Sequence, residues 1–427
     1  MTQPVSPPED VLTNALVDLK TQNPTMGIAK IHTLLLQTYP EWTVSEKRVK
    51  KILQHEGLTS SAILADTALP LYPQSRLVSS LDVSKWTSKV RVKMFDKRKG
   101  KGLVASEEIK ENDIVWKEDP FVVAAEMDIL DLQSSGQACA LCTTPFSDSP
   151  LVIPCPSSAS SSSYCTARFC NRLCLARSAK VHPLLCTGQN PACAPLIKFA
   201  REKQWMALNA LAHSMSRLLL ANQYDEATLR QDWDVFRGLA ALGMEERAKY
   251  SFGSEPDRQT WKKAHQLVVQ AFKEPKNPAD QKKLTGFAEE RDLFDYEPGF
   301  LRNLGKMSLN LEAHGGLYTL HSHLNHSCKP NCSVRHLHKP TALSRITVIA
   351  KRAIAPGEEL TISYVNPELP YRSRQDELKA WGFGSCKCER CQVEEKTFKL
   401  KDVLQQKDSG VDMDDLAREL KAGLGVM

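Results

Sequence analysis

The spacing of apolar residues changes several times along the chain, and each change predicts a different kind of element. Residues 11–60 show helical spacing behind the pattern of a capping box, and Gly57 would end the last helix. We therefore predict two or three short amphipathic helices at the N-terminus. The pattern rests on Thr43, Glu46, Val49, Ile52 and Leu53.

A Ser/Ala/Pro-containing stretch over 61–82 separates these helices from residues 83–125, whose alternation is typical of strands. Residues 196–300 return to helical spacing, and an apolar alternation near the C-terminal end closes on Tyr364. This order predicts a mixed α+β protein with a helical block between strand-rich parts. The core-facing positions of the block are Trp205, Leu208, Leu211, Ala212, Met215 and Leu218.

Composition narrows the class of protein. The chain has 427 residues, enough for roughly two to four domains, and a mildly basic formal charge of +6. Its first residues contain neither a basic nor an apolar signal region, and no apolar run has the length of a membrane span. We expect an intracellular protein without a membrane partner. In that reducing setting its 13 cysteines favour metal binding over disulfides.

Two groups of cysteines carry the metal prediction. Cys386, Cys388 and Cys391 are close enough in sequence to hold one zinc ion, which leaves one of its four positions open. Cys328 is the candidate for that position. The alternative is three scattered reduced thiols, which the tight spacing disfavours. Residues 133–195 add eight ligands, enough for two further tetrahedral sites. These ligands are Cys139, Cys142, Cys155, Cys165, Cys170, Cys174, His182 and Cys186.

Three segments, in fixed order, resemble the catalytic end of SET-domain lysine methyltransferases. They are Leu317–Asn331, which contains Asn-His-Ser-Cys-x-Pro-Asn, then Gly357–Tyr364, then Trp381–Cys391. The cysteines of 133–195 resemble a MYND zinc finger. Over residues 86–391 the chain is therefore similar to the SMYD-like class, in which that finger splits the SET domain. Its short tail and N-terminal helices most resemble fungal SET-domain proteins that methylate lysines of the histone H4 tail.

The resemblance implies a β-rich SET core with an inserted MYND-type zinc finger and helical insert, a post-SET zinc site and an N-terminal helical module. The segments it implies are the helix-turn-helix-like module (1–60), a linker (61–82), the N-terminal part of the SET domain (83–132), the finger (133–195), the helical insert (196–305), the SET core (306–369), the post-SET segment (370–395) and a tail (396–427).

The resemblance also assigns roles to single residues. S-adenosylmethionine is the implied cofactor, and Tyr364 is the implied active-site tyrosine at the lysine channel, with Tyr318 beside it. Trp381 stands where relatives often have a second channel tyrosine, which leaves the degree of methylation open. Lys99 and Lys101 would meet the carboxylate of the cofactor. The other implied cofactor contacts are Gly102, Asn310, Ser322, Leu324, Asn325, His326 and Phe383, the last of these stacked on adenine.

The MYND-like pattern implies interleaved zinc ligands. Cys139, Cys142, Cys170 and Cys174 would form the first site, and Cys155, Cys165, His182 and Cys186 the second. A looped-out serine run between Cys155 and Cys165 departs from the compact family spacing, so Cys193 is an alternative to Cys155. With the site around Cys328, three structural zinc ions are expected.

The function implied is methyl transfer to a lysine of a histone or another protein, in the nucleus and cytoplasm. A proline-rich peptide at the finger is a further expected partner. DNA at residues 11–60 is another candidate partner, but a basic helix face alone favours a small interaction module or a solvated face instead. The alternatives are a catalytically inactive SET/MYND interaction protein and a DNA-binding regulator.

Overall fold

The computed structural model describes residues 6–23, 26–55, 73–78, 80–96, 99–146, 148–159, 164–249, 256–275, 289–336 and 344–408. Contacts divide the chain into two units, Met1–Leu71 and Tyr72–Met427. The predicted stop at Gly57 lies outside the described residues.

The first unit consists of three helices, Glu9–Gln22 (α1), Ile28–Thr38 (α2) and Glu46–His55 (α3), as the N-terminal pattern predicts. The predicted capping residue is wrong, because Ser45 rather than Thr43 accepts the Arg48 backbone N–H, at 3.3 Å. Val44 is buried and its carbonyl contacts the His32 ring at 2.7 Å, so the chain turns into the helix only after it. The core of this unit contains Leu12, Leu16, Ile31, Leu35, Val49, Ile52 and Leu53.

The basic face of α3 is only partly free. Lys47, Lys50 and Lys51 are exposed. Arg48 instead donates to the hydroxyl of Ser6 at 2.8 Å and to the carbonyl of Pro7 at 3.1 Å. One of the four basic side chains on this helix therefore fixes the segment before α1.

Short strands form the β part of the second unit. They are Val90–Met94 (β1), Lys101–Ala105 (β2), Ile114–Glu118 (β3), Val122–Val123 (β4), Ile153–Pro154 (β5), Arg168–Phe169 (β6), Gly316–Leu317 (β7), Asn325–His326 (β8), Cys332–His336 (β9), Ile346–Ala350 (β10) and Glu359–Ile362 (β11). One sheet has the order β1-β2-β11-β8 and a second β3-β10-β9, and β4-β7 and β5-β6 form two pairs. Only β8 and β11 run parallel among the described pairs.

A helical block follows the cysteine-rich segment. The helices of the second unit are Met127–Ser134 (α4), Arg172–Ser178 (α5), His182–Leu185 (α6), Ala194–Glu202 (α7), Met206–Tyr224 (α8), Glu226–Gly238 (α9), Met244–Ala248 (α10), Arg258–Phe272 (α11), Glu290–Phe294 (α12), Arg302–Asn310 (α13), Tyr371–Ala380 (α14) and Glu389–Asp408 (α15). A π-helical stretch spans Tyr296–Leu301. All six predicted core positions of this block are buried. Within the described residues, no helix is long and apolar enough to span a membrane.

The predicted linker is too long at its C-terminal end. Gln74 and Ala241 exchange backbone hydrogen bonds at 2.9 and 2.8 Å, and the hydroxyl of Ser75 accepts the Lys101 N–H at 3.1 Å. Its composition resembles a linker, but residues 73–82 belong to the second unit because their backbone groups find partners there. Residues 61–72 lie outside the described part.

The close approach of α13 to Leu242 yields a stability prediction. A Cβ on Gly305 would lie 1.9 Å from the Leu242 carbonyl oxygen. We expect Gly305→Ala to destabilise the protein by about 1–3 kcal/mol, the usual cost of overpacking. Ser308→Ala, on the same helix, should change stability by less than about 0.5 kcal/mol. Thermal unfolding followed by circular dichroism would measure both, and equal melting temperatures would contradict the packing argument.

Candidate active site

A cavity of about 520 Å³ lies where β2, β8 and β11 meet the segment after α14. Eight residues predicted at the cofactor or the lysine channel line it: Lys99, Lys101, Asn310, Ser322, Asn325, His326, Tyr364 and Phe383. The predicted metal ligands Cys386 and Cys388 line it as well. The parallel pairing of Asn325 with Thr361 and of His326 with Ile362 explains how segments so distant in sequence reach one wall.

Lys99, Gly100, Lys101 and Gly102 form a segment that we call the glycine loop, and its two lysines have different environments. Lys99 is partly exposed and forms an ion pair with Glu359. Lys101 is only 4% exposed. Burial, followed by repulsion from Lys306, lowers the pKa of Lys101 to about 7, and no described carboxylate compensates its charge. Because a buried cation without a counter-ion is costly, the cavity favours an anionic group beside Lys101.

Gly102 is required by the close approach of β2 to β8. A Cβ at this position would lie 2.6 Å from the Phe95 ring and 2.7 Å from Nδ2 of Asn325. Nδ2 of Asn325 donates to the Lys101 carbonyl at 3.1 Å and to the Glu359 carboxylate at 2.9 Å. Asn325 is therefore a bridge between the glycine loop and β11.

Tyr364 is held by its hydroxyl. The hydroxyl donates to the Leu324 carbonyl at 2.6 Å, and the ring lies 4.9 Å from Phe383 and 5.3 Å from His326 between centroids. Burial raises the pKa of Tyr364, so the phenol stays protonated at neutral pH. Since its one proton is used on Leu324, the oxygen can still accept a hydrogen bond from a ligand. The role of Leu324 in this arrangement comes from its backbone, since its side chain is buried in the core.

His326 connects Tyr364 to the C-terminal cysteines. Its Nδ1 accepts the Tyr364 backbone N–H at 3.0 Å, and its Nε2 lies 3.3 Å from the sulfur of Cys328. Burial lowers the pKa of His326 to about 4, so the ring is neutral and Nε2–H can donate to the sulfur. Both ring nitrogens are therefore engaged within the protein.

The structure brings the candidate metal ligands together in three groups of four. In each group the ligand atoms lie within 4.8 Å of one another, an arrangement that can hold a metal ion. Cys155 takes its place despite the long serine-containing loop, and neither Cys193 nor Cys332 joins these groups. The groups are Cys139, Cys142, Cys170 and Cys174; Cys155, Cys165, His182 and Cys186; and Cys328, Cys386, Cys388 and Cys391.

Two residues expected at the lysine channel do not line the cavity. Tyr318 is buried, and its hydroxyl contacts the Ser344 carbonyl and the His314 ring, so its polar atom is already satisfied. Trp381 is 37% exposed, and its ring lies under the guanidinium of Arg247, 6.0 Å from ring centroid to carbon. The structure therefore does not support either residue as a wall of this cavity.

Several lining or supporting residues were missed by the sequence analysis. Glu359 lies on the cavity face because the period of β11 places Leu360 and Ile362 in the core and Glu359 and Thr361 opposite. That alternation is visible in the sequence. Buried Glu118 is not recognisable in this way: its carboxylate accepts the N–H groups of Leu320 and His321 at 2.7 and 3.0 Å, and so fixes the turn before Asn325.

A family model described as "SET domain" matches residues 100–365, more than half of the chain. The chain belongs to the SET-domain family. The match includes Lys101, the cysteine-rich segment, the helical block and the strand pair β8-β11, and it covers half of the residues that line the cavity. Phe383 and the last three cysteines lie beyond the match.

Curated relatives are similar over most of their length. "Histone-lysine N-methyltransferase SET5" of Mycosarcoma maydis is 31% identical over 338 residues, covering 71% of this chain and 67% of that protein. The protein of the same name from Yarrowia lipolytica is 29% identical, with 87% and 78% covered. The one from Meyerozyma guilliermondii is 28% identical, with 99% and 88% covered. A solved structure, "Crystal structure of the SET domain of LSMT bound to Lysine and AdoHcy", matches at 12% identity and a TM-score of 0.33, too low to carry an argument.

The contact between His326 and Cys328 yields a prediction for this SET domain. We expect Cys328→Ser to release one metal ion per chain, because a set of four ligands loses one. Because His326 contacts Cys328, we also expect the variant to bind S-adenosylhomocysteine about 10-fold or more weakly. Cys332→Ser is the matched control, since Cys332 is equally buried but outside the ligand groups. Elemental analysis and calorimetry would test both variants. Unchanged affinity after loss of the ion would separate the cysteine group from the cavity.

Proposed function

We propose that the chain is an S-adenosylmethionine-dependent protein-lysine N-methyltransferase that acts on a histone tail, with H4 favoured. Membership of the SET-domain family and the names of the relatives, all "Histone-lysine N-methyltransferase SET5", support this proposal. The observation that carries it is the cavity itself, which places a buried, uncompensated cation on β2 and a fixed, protonated tyrosine just after the neighbouring strand β11.

The residues of the cavity fit the cofactor group by group. Lys101 offers a cation to its carboxylate, and Glu359 offers an anion to its ammonium. Phe383 presents an aromatic face for adenine, and the missing side chain of Gly102 lets the backbone of β2 approach closely. Asn310 keeps its side-chain oxygen available, because Nδ2 donates to the carbonyls of Ala240 and Lys306.

Catalysis by this chain is chiefly a matter of positioning. Bound S-adenosylmethionine supplies an activated methyl group on a sulfonium sulfur. The chain must deliver a neutral lysine amine in line with it, and such orientation contributes roughly 7–11 kcal/mol. The Tyr364 oxygen accepts a hydrogen bond from the amine and aims its lone pair. Exclusion of water around Tyr364 and Phe383 lowers the pKa of an entering amine, which favours the reactive neutral form.

The three ligand groups are proposed to be closed structural zinc sites. Two of them lie in residues 133–195, inside the matched SET domain, which supports a MYND-type finger that splits the domain. The third supports a post-SET site that joins Cys328 to the C-terminal segment. We propose a nuclear and cytoplasmic location for a protein with a histone substrate. We also propose two secondary partners. DNA would bind at the exposed lysines of α3, and a proline-rich peptide would bind at the finger.

The reaction itself is tested by incubating the full chain with labelled S-adenosylmethionine and individual histones, followed by mass spectrometry. We expect label on lysine, with most on H4. Label on no histone and no other protein substrate, with cofactor binding intact, would favour an inactive interaction protein instead.

Tyr364→Phe tests the mechanism. The hydroxyl acts on the amine in the transition state, so we expect the single-turnover rate at saturating cofactor to fall by roughly 10²-fold, with cofactor affinity nearly unchanged. Tyr318→Phe is the matched control and should retain the rate if Tyr318 is outside the channel. Equal losses of rate and of cofactor affinity in Tyr364→Phe would make this tyrosine part of the binding wall only.

The lowered pKa of Lys101 predicts how cofactor binding depends on pH. The bound carboxylate favours the charged amine, so binding is strongest below the free-protein pKa of about 7 and weakens as the pH rises above it. Calorimetry with S-adenosylhomocysteine between pH 6 and 9 would show this in the wild type. The Lys101→Met variant should bind S-adenosylhomocysteine more weakly, and its affinity should not show the decrease above pH 7. Parallel pH profiles for the two proteins would refute the role of Lys101.

A further inference from the structure

We propose that Glu312, His314 and His336 form a fourth metal site, free of thiolates, which binds a divalent transition-metal ion such as Zn²⁺. Their ligand atoms lie within 4.8 Å of one another. Glu312 and His314 follow α13, and His336 ends β9, so the ion would join the end of the helical block to the SET sheet. Two imidazoles and one carboxylate are a ligand set that zinc accepts.

The hydrogen bonds of Tyr318 determine which nitrogen of His314 is available. The Tyr318 hydroxyl has a single proton, and it donates that proton to the Ser344 carbonyl, which can only accept. Its 2.7 Å contact with Nε2 of His314 must therefore be a hydrogen bond donated by the imidazole. This leaves Nδ1 of His314 unprotonated, with a lone pair for a metal ion. A second hydrogen-bonding partner that fixes the tautomer in this way is typical of metal-binding histidines.

Two buried nitrogen atoms at the same place have no hydrogen-bond partner among the described residues. Nδ1 of His336 is one, and its ring meets that of His314 edge-on, with centroids 3.9 Å apart. Nε2 of His321 is the other; His321 is 6% exposed. This atom lies 2.9 Å from Oε1 of Glu312, at an angle that fails hydrogen-bond geometry. Buried polar atoms without partners are uncommon in folded proteins. An ion bound by Nδ1 would account for the one on His336, whereas Nε2 of His321 faces the carboxylate that would bind the ion.

Charge favours an ion over a network of side chains alone. Three imidazoles, of His314, His321 and His336, surround the single carboxylate of Glu312. A divalent ion would use the lone pairs of His314 and His336, to which no residue in the described part of the chain donates a hydrogen bond. The ion and His321 would both contact the Glu312 carboxylate, so His321 would position that carboxylate for the ion without binding the ion itself. Because the backbone N–H of His321 is itself held by Glu118, the ion would also brace the turn that leads to Asn325.

Native mass spectrometry of the full chain in the presence of Zn²⁺ tests the site. We expect His336→Gln and His314→Gln each to bind one ion fewer than the wild type, whatever the total, and the thiolate-bound ions to remain. His265→Gln is the matched control, because this half-buried histidine contacts the Phe294 carbonyl and belongs to no ligand group. Equal ion counts in all four proteins would overturn the proposal. If a histidine variant fails to fold, Glu312→Gln replaces it, with the same expected loss of one ion.

Cobalt distinguishes this site from the cysteine groups. With the thiolate sites filled by zinc, added Co²⁺ should give weak visible absorption without a sulfur-to-metal charge-transfer band, and His336→Gln should abolish that absorption. A charge-transfer band instead, or absorption that persists in His336→Gln, would place the cobalt in a thiolate site and refute the fourth site.

Discussion

The two-residue parallel pairing of β8 with β11 is the constraint on which the active site depends. It places Asn325 beside Thr361 and His326 beside Ile362. So short a pair cannot hold itself, and Asn331 supplements it: its side chain donates to the Glu359 carbonyl at 2.8 Å and accepts the Thr361 N–H at 2.8 Å. The Asn-His-Ser-Cys-x-Pro-Asn segment thus both lines the cavity and fastens the strand that leads to Tyr364.

His326 extends this constraint in two directions. One ring nitrogen fixes the backbone of Tyr364, and the other contacts the sulfur of Cys328. Cys328 in turn lies 3.4 Å, sulfur to sulfur, from Cys391, close to the segment that carries Phe383. The cysteine group, the tyrosine and the aromatic wall are therefore mechanically linked, so a metal ion there would shape the cavity without taking part in the chemistry.

The helical block contributes to the site through its edges. Packing of α13 against Leu242 at Gly305 sets the position of Asn310 on the cavity wall. The residues that follow α13 reach back to β9 through the cluster of Glu312, His314 and His336. Two contacts therefore hold α13 in place: Gly305 packs against the backbone of Leu242, and the polar side chains that follow the helix contact His336 of β9.

The sequence alone determined what depends on local spacing. Helical and strand periods located the helical block and its core. The cysteine and histidine spacings contained all twelve ligands of the three groups, and the resemblance to SET domains identified eight of the residues that line the cavity. Tertiary structure decided what depends on contacts between distant segments. Ser45 rather than Thr43 caps α3, because Val44 is buried and the helix begins only after it. Residues 73–82 belong to the second unit rather than to the linker, because Gln74 and Ser75 form hydrogen bonds with Ala241 and Lys101. Tyr318, predicted at the lysine channel, does not line the cavity, and its hydroxyl contacts the Ser344 carbonyl and the His314 ring. Glu118 and the cluster around Glu312 had no signal in sequence. Their roles arise from burial and from partners that only the folded chain brings within reach.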